Sequence, residues 1–317
     1  MNNRSDSETA RRDDAARAGW LYYVAGNTQD ESARKLGVSR QSAQRLVSLA
    51  VSAKLVKLRL DHPIAKCMEL AQRLKEEHGL HFCEIVPTDP DAPLSINGVA
   101  QVAAAELEKH LKSKTPKIIA LGTGRALRAC VDELQPMDCP QHRIVSLLGN
   151  MMSDGAATPY NVVVRMADRV NARHYPMPLP AFARTVEEKQ LLQKQEAVHN
   201  ILELSRHADV TFVGIGHMGD TAPIVIDGFI NHDEMRALQK AGAVGEITSW
   251  AFNAKGEVLE GLTNDRVASD KLRVAPEKPV IAIAIGEAKA PAIKAALTGK
   301  LVSALITDEA TAELLLK

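Results

Sequence analysis

Three glycine-bearing turns carry the side chains and amides best suited to ligand chemistry. Leu121-Gly122-Thr123-Gly124-Arg125 follows an apolar run with strand character and opens a helical one. A turn of that kind offers main-chain amides, a hydroxyl and a helix amino end to an anion such as a phosphate. Gly214-Ile215-Gly216-His217-Met218-Gly219-Asp220 follows a second apolar run, and Gly214 and Gly216 let the backbone come close to the same ligand. Gly286-Glu287-Ala288-Lys289 ends a third and puts a flexible ammonium at the crevice mouth. Such glycines also serve plain strand-to-helix geometry, and it is their coincidence at three strand ends that points to a phosphate-bearing ligand. His217 and Asp220 have no nucleophile paired with them in sequence, so they read as structural and no catalytic residue is assigned.

A second constellation lies near the amino terminus. Residues 1–12 are polar and read as disordered, and a helix is predicted from about Asp14 to Val24 with Ala16, Trp20, Leu21 and Val24 on one face. Gly26-Asn27 ends it. Thr28-Gln29-Asp30-Glu31 spells a capping box, starting a short helix with Ser32, Ala33 and Leu36 turned inward. Gly37 permits a tight turn, and Ser39 caps the next helix, in which Ala43, Leu46, Val47 and Ala50 recur at helical spacing. Two helices crossing over a short turn, with a glycine between them and small residues where they meet, make a helix-turn-helix. The outer face then presents Arg40, Gln41, Gln44, Arg45 and Ser48, donors able to reach base edges or phosphates. Thr28, Gln29, Ser39 and Ser42 sit at the helix amino ends, where free amides meet phosphate oxygens. The competing readings are a helical hairpin with a solvated polar face and a protein-interaction module. Val56-Lys57-Leu58-Arg59-Leu60 alternates apolar and basic residues, suiting either a wing beside DNA or an edge strand.

The elements that position these residues follow from patterning. Residues 64–78 read as an amphipathic helix, and the domain boundary falls within 55–65, giving a head of residues 1–60 and a body of 61–317. In the body, strands are predicted at Cys83–Val86, Lys117–Leu121, Arg143–Leu148, His174–Pro180, Val210–Ile215, Val280–Ile285 and Leu301–Ile306. Helices are predicted at Ile96–Leu111, Ala126–Leu134, Asn161–Asn171, Val186–Glu203, Ala290–Leu297 and Glu309–Leu316. This alternation is that of an α/β domain with a mostly parallel sheet, whose ligands bind beyond the carboxyl ends of the strands.

Composition bounds the remaining options. Aromatics are only 3% of the 317 residues, so the core is built from Ala, Val, Leu and Ile. No apolar run approaches the roughly 20 residues of a membrane span, and Asn2, Asn3, Arg4, Ser5 and Asp6 do not open a signal peptide, so a cytoplasmic protein without membrane contact is expected. Cys67, Cys83, Cys130 and Cys139 form no CxxC pair and read as buried small hydrophobes; His78 and His81 read as surface histidines. No metal or cofactor is expected. Formal charge is zero overall, yet residues 1–60 hold an excess of five positive charges and the remainder an equal negative excess. A basic head on an acidic body suits nucleic-acid binding coupled to small-molecule sensing.

With those residues in view, the chain resembles the SorC family of sugar-responsive regulators, within the broader DeoR-like group. The matching residues are Leu21-Tyr22-Tyr23-Val24 with Thr28-Gln29, Leu36-Gly37-Val38-Ser39-Arg40, the turns at Leu121–Arg125 and Val213–Gly216, Lys289 with Ala292-Ile293 and Ala295-Ala296-Leu297, and Leu305-Ile306-Thr307-Asp308-Glu309-Ala310-Thr311-Ala312. The resemblance implies a winged helix-turn-helix on a body similar to phosphosugar isomerases, kept as a sensor. It implies binding of a phosphorylated sugar or polyol, assembly as a homodimer or homotetramer, and control of double-stranded operator DNA. It puts the phosphate loop on Gly122, Thr123, Gly124 and Arg125, an effector-contacting acid on Glu246 and a lysine on Lys289, with Gly149, Asn150, Gly214 and Gly216 beside them. Ser146-Leu147-Leu148-Gly149-Asn150 lacks the lysine with which some relatives form a Schiff base, so reversible binding is expected. Asn253 stands where relatives often carry Asp. The alternative function is a phosphosugar isomerase or deaminase with an appended helical domain.

Overall fold

A computed structural model describes residues 3–56, 64–152 and 154–317, and the chain divides into two compact units, Met1–His62 and Pro63–Lys317. The first unit is helical: α1 (Asn3–Gly19), a π-helical turn (Trp20–Val24), α2 (Gln29–Leu36) and α3 (Arg40–Ser52). The helix from Asn3 corrects the expectation of disorder before Asp14: residues 8–18 are rich in Ala, Arg and Glu or Asp, and the run reaches the length at which helices hold together. The buried stripe also differs from that predicted. Ala15, Ala18 and Gly19 are buried, while Trp20 and Val24 are exposed. A Cβ on Gly19 would lie 2.6 Å from Val56 and 2.9 Å from Ala50, so α1 approaches α3 through small residues. The widened turn at Trp20, closed by Ala25 N–H donating to the Trp20 carbonyl at 2.9 Å, then changes the phase of the following side chains. Of the expected wing, only Val56 is among the described residues.

The second unit is built on a seven-stranded sheet of β1 (Phe82–Val86), β2 (Ile118–Leu121), β3 (Arg143–Met151), β4 (Arg173–Pro180), β5 (Val210–Gly214), β9 (Val280–Ile283) and β10 (Ala304–Asp308). Its order is β1-β10-β9-β5-β2-β3-β4, parallel throughout. Each predicted strand is present. Alternation sorts their side chains to two faces. Ile119, Leu121, Phe212, Ile281 and Ile283 pack with α5 (Asn97–Leu111), α6 (Arg125–Glu133) and α7 (Val162–Val170). On the opposite face Val213, Ala282 and Leu305 meet α4 (Ala65–His78), α12 (Ala290–Thr298) and α13 (Glu309–Leu315), while Ile118, Ala120 and Val145 meet α9 (Glu196–Arg206).

Residues 186–203, predicted as one helix, form α8 (Val186–Gln193) and the start of α9, separated by Lys194-Gln195. The break lets Val198, Ile201 and Leu202 lie on the sheet. α8 has no fully buried residue; Leu192 packs half-buried against the same core, and the Gln193 side chain donates to the Ala268 carbonyl at 2.9 Å. Sequence periodicity missed a three-stranded antiparallel sheet of β6 (Gly216–His217), β7 (Ala243–Ile247) and β8 (Trp250–Asn253), with α10 (Pro223–Ile226) and α11 (His232–Lys240) between the first two strands. His78 corrects its surface reading: 8% of its side chain is exposed, and burial holds its pKa below the usual histidine value. All four cysteines are free and buried, and burial pushes the Cys83 thiol up to about 12.

Candidate functional site

In the first unit, both helix starts are held as the sequence requires. The Thr28 amide and hydroxyl donate to the Glu31 carboxylate at 2.8 and 2.9 Å, and the Glu31 amide donates back to the Thr28 hydroxyl at 3.3 Å. Those bonds from Thr28 hold Glu31 below the ordinary carboxylate pKa. Gly37 takes a left-handed φ of 68°, closing α2. The Ser42 amide donates to the Ser39 hydroxyl at 3.2 Å, and that hydroxyl donates to the Ser42 hydroxyl at 2.9 Å. Ala43, Val47 and Ala50 are buried, which leaves Arg40, Gln41, Gln44, Arg45 and Ser48 exposed along one side of α3. Arg40 is 3.4 Å from Asp30, a solvent-exposed pair of little energetic weight that a phosphate can replace. Gln29 and Ser42 are half-buried, and the Ser42 hydroxyl is taken up at the α3 start by Ser39.

In the second unit, the chain runs from β2 outward through β3 to β4, then returns to β5 on the other side of β2 and continues to β9 and β10. The border between β2 and β5 is the place where an open parallel sheet leaves a crevice at its carboxyl ends. A cavity of about 310 Å³ lies there, lined by Gly122–Leu127 after β2, Gly214–His217 after β5 and Gly286, Ala288 and Lys289 after β9. The three glycine turns are thus brought together. The Gly122 amide is already spent, donating to the Phe212 carbonyl at 2.8 Å, which removes it from the expected anion cradle. The first helical bond of α6 runs from the Arg128 amide to the Gly124 carbonyl, so the amides of the turn before it lack helical acceptors. Gly124 holds φ 122°, open only to glycine, and this aims the amino end of α6 into the cavity.

Glu246 and Lys289 line the same cavity. Glu246, on β7, pairs with Gly216 and accepts the Ser249 amide at 2.8 Å. The β7–β8 turn that supplies this amide has positive φ at both Thr248 (48°) and Ser249 (71°). Two-residue hairpin turns need that geometry, yet neither residue is Gly or Asn, so local strain is held at the cavity wall. Burial raises the Glu246 pKa, against the Ser249 amide and Lys289. Burial lowers the Lys289 pKa, offset by Glu246. His217, set aside in the sequence as structural, lines the same space: its Nδ1 is buried without a hydrogen-bond partner, and burial followed by the Lys289 charge depresses its pKa. A neutral imidazole, an ammonium and a carboxylate around one floor can exchange hydrogen bonds with several hydroxyls of one ligand.

The rim carries a network that sequence spacing missed. Arg125 Nη2 donates to Asp227 Oδ1 at 3.0 Å, and the Tyr160 hydroxyl donates to Asp227 Oδ2. Burial, then the Asp227 bond, pushes the phenol up to about 12, so it stays a donor. These residues are separated by tens of positions, and no motif joins them. The sole local signal was Asp227 just after Pro223-Ile224-Val225-Ile226, a one-turn helix stop.

Other expected residues fall elsewhere. Gly149 and Asn150 do not line the cavity. A Cβ on Gly149 would be 2.3 Å from the Leu179 carbonyl oxygen, so that glycine allows β3 and β4 to approach, and the Asn150 carbonyl accepts the Thr158 amide at 2.9 Å. Asp220 is also outside the lining. Asn253 serves a turn, its Oδ1 accepting the amides of Lys255 (2.9 Å) and Glu257 (3.1 Å). Among the described residues no group of three or more His, Cys, Asp or Glu is placed to hold a metal ion, and no helix is long and apolar enough to cross a membrane.

Residues 62–317 match the family model described as "Putative sugar-binding domain". The chain is 33% identical over 302 residues to the erythritol catabolism regulatory protein EryD of Brucella abortus, covering 95% of this chain and 96% of that one. It is 28% identical to the deoxyribonucleoside regulator of Bacillus subtilis, over 93% of this chain and 94% of that one. The full-length sorbitol operon regulator SorC of Klebsiella pneumoniae has the same fold, with a TM-score of 0.71 at 24% identity over 96% of this chain and 98% of that one.

Proposed function

The chain belongs to the SorC family of sugar-binding transcriptional regulators, and from that premise we propose that residues 1–60 read operator DNA while residues 61–317 bind a phosphorylated polyol or sugar and join subunits. It is a transcriptional regulator rather than an enzyme. The observation that carries the effector reading is the cavity itself: the amino end of α6, Glu246, Lys289 and His217 line one space at the carboxyl ends of the strands. An anionic group then sits on the amides after Gly122 and the Thr123 hydroxyl, and a polyhydroxyl tail extends toward Gly214, Gly216, Glu246 and Lys289.

Arg40, Gln41, Gln44 and Arg45 are the base- and phosphate-contacting side chains of this reading, with Thr28, Gln29, Ser39 and Ser42 at the phosphate-facing helix ends. One short reading helix yields little affinity alone, so a homodimer or homotetramer on paired half-sites in the cytoplasm is part of the proposal. The effector acts by binding one arrangement of subunits better than another and shifting their populations. A polyol phosphate is favoured over other sugars because EryD, by its name, regulates erythritol catabolism. The test is a gel shift with the DNA upstream of the protein's own gene, repeated with phosphorylated and free polyols and sugars. Retardation abolished or strengthened by one phosphorylated compound is expected. Retardation indifferent to all of them would overturn the effector assignment, and no retardation at any salt concentration the DNA assignment.

A further inference from the structure

We propose that Asp227 is a specificity-determining residue that restricts the cavity to effectors with one anionic group and a neutral, hydroxylated far end. This rests on the reading of the cavity as the effector site. Four of its lining residues carry formal charge: Arg125 and Lys289 are positive, Asp227 and Glu246 negative. Arg125 is therefore not a free counter-ion waiting for a phosphate. Its guanidinium lies 3.0 Å from Asp227, although 58% of the side chain is exposed and burial does not hold it there.

Asp227 is the fixed member of the pair. Its side chain is 13% exposed, and its second carboxylate oxygen accepts the Tyr160 hydroxyl. With the side chains balanced two against two, the excess positive potential comes from the amino end of α6, worth about half a unit charge plus its free amides. One anion is matched there. A second anionic group at the rim would face Asp227 with Arg125, the cation there, already engaged, whereas hydroxyls would find acceptors in both carboxylates and a donor in Lys289.

The experiment is calorimetric titration of the full-length protein with inorganic phosphate and with pyrophosphate at low ionic strength, for the wild type, Asp227→Asn and Asp227→Glu. Asparagine keeps the shape and the oxygen facing Tyr160 while removing the charge. It should bind phosphate about tenfold tighter and pyrophosphate by a clearly larger factor, since Arg125 is released to meet the second group. Glutamate restores the charge and should return the pyrophosphate-to-phosphate ratio toward that of the wild type. Adding Arg125→Gln to Asp227→Asn should erase the gain. If phosphate binds the wild type but the ratio is the same in Asp227→Asn, the role of Asp227 is overturned and the effector site stands. If neither anion binds any variant, the anion end of the effector site fails, and this inference with it.

Discussion

Gly216 and Glu246 are cross-strand partners at a spacing that leaves no room for a side chain: a Cβ on Gly216 would lie 2.1 Å from Oε1 of Glu246. Glu246 has little freedom to retreat, because the strained Thr248-Ser249 turn delivers the Ser249 amide to its other oxygen at 2.8 Å. Gly216→Ala should therefore push the carboxylate out of position. The expected stability cost is about 1–2 kcal/mol, the scale of overpacking one methyl group. Effector response should suffer more than stability. The polyol phosphate that alters the wild-type gel shift should need at least ten times the concentration, with unliganded DNA binding retained. An unchanged effector response would show that Glu246 does not contact the ligand.

Asn264 does for β8 what a neighbouring strand would do. Its Oδ1 accepts the Ala251 amide at 2.8 Å, and its Nδ2 donates to the carbonyls of Ala251 (2.9 Å) and Leu259 (2.8 Å). Asn264 is 1% exposed, and without its side chain the Ala251 amide loses this acceptor, while the Ala251 carbonyl keeps the Leu259 amide at 3.0 Å. Asn264→Ala should cost about 1–3 kcal/mol, the scale expected when one buried backbone amide loses its partner. Urea unfolding of the second unit checks this, with a lowered midpoint expected and an unshifted one counting against the account.

The inner strands β2, β5, β9 and β10 were legible because each is a short apolar run buried on both faces and bounded by turns. The edge strands β1 and β4, with Glu84, Arg173 and His174 exposed, were legible from their place in the strand-helix alternation. The glycine turns were legible for the same reason as the inner strands, since each must follow such a strand. The antiparallel β6–β8 sheet was not: Gly216-His217 is two residues long, and Ala243–Ile247 includes Gly245, which gives way to Phe252 and Ala292. The rim pair of Arg125 and Asp227 is set by tertiary packing across 102 positions, which no local period encodes. The head was read well at its caps, where chemistry is local, and poorly along α1, where Gly19 selects a stripe of small residues rather than the large apolar ones.

Thr28 and Arg45 separate stability from recognition in the head. Thr28→Ala removes the hydroxyl's bonds to the Glu31 amide and carboxylate while keeping the residue-28 amide on that carboxylate, and should cost about 1 kcal/mol, read as earlier melting of the helical unit. Arg40→Ala with Arg45→Ala should leave melting nearly unchanged, because both side chains are exposed and, among the described residues, Arg40 is paired with the exposed Asp30 alone. DNA affinity should nevertheless fall, and the dependence of log K on log salt should become shallower by about 0.9 for each phosphate contact removed. An unaltered salt slope would mean that these arginines face something other than the DNA backbone.

His78 and His217 make the stability of the second unit fall on acidification from about pH 6.5 downward. Burial lowers the pKa of both, and Nε2 of His78 and Nδ1 of His217 have no hydrogen-bond partner. The folded state therefore prefers both rings neutral. Above pH 6.5, the ordinary histidine value, folded and unfolded chains are alike in this respect. As pH falls through that value the unfolded chain takes up protons first, and folding stability declines until the lower folded-state pKa values are passed. The limiting slope is about 1.4 kcal/mol per pH unit for each ring. Urea midpoints measured between pH 7.5 and 5.5 should fall with acidification, and His78→Asn combined with His217→Gln should flatten that fall. If the double variant loses stability with pH as steeply as the wild type, acid sensitivity arises from groups other than these two histidines.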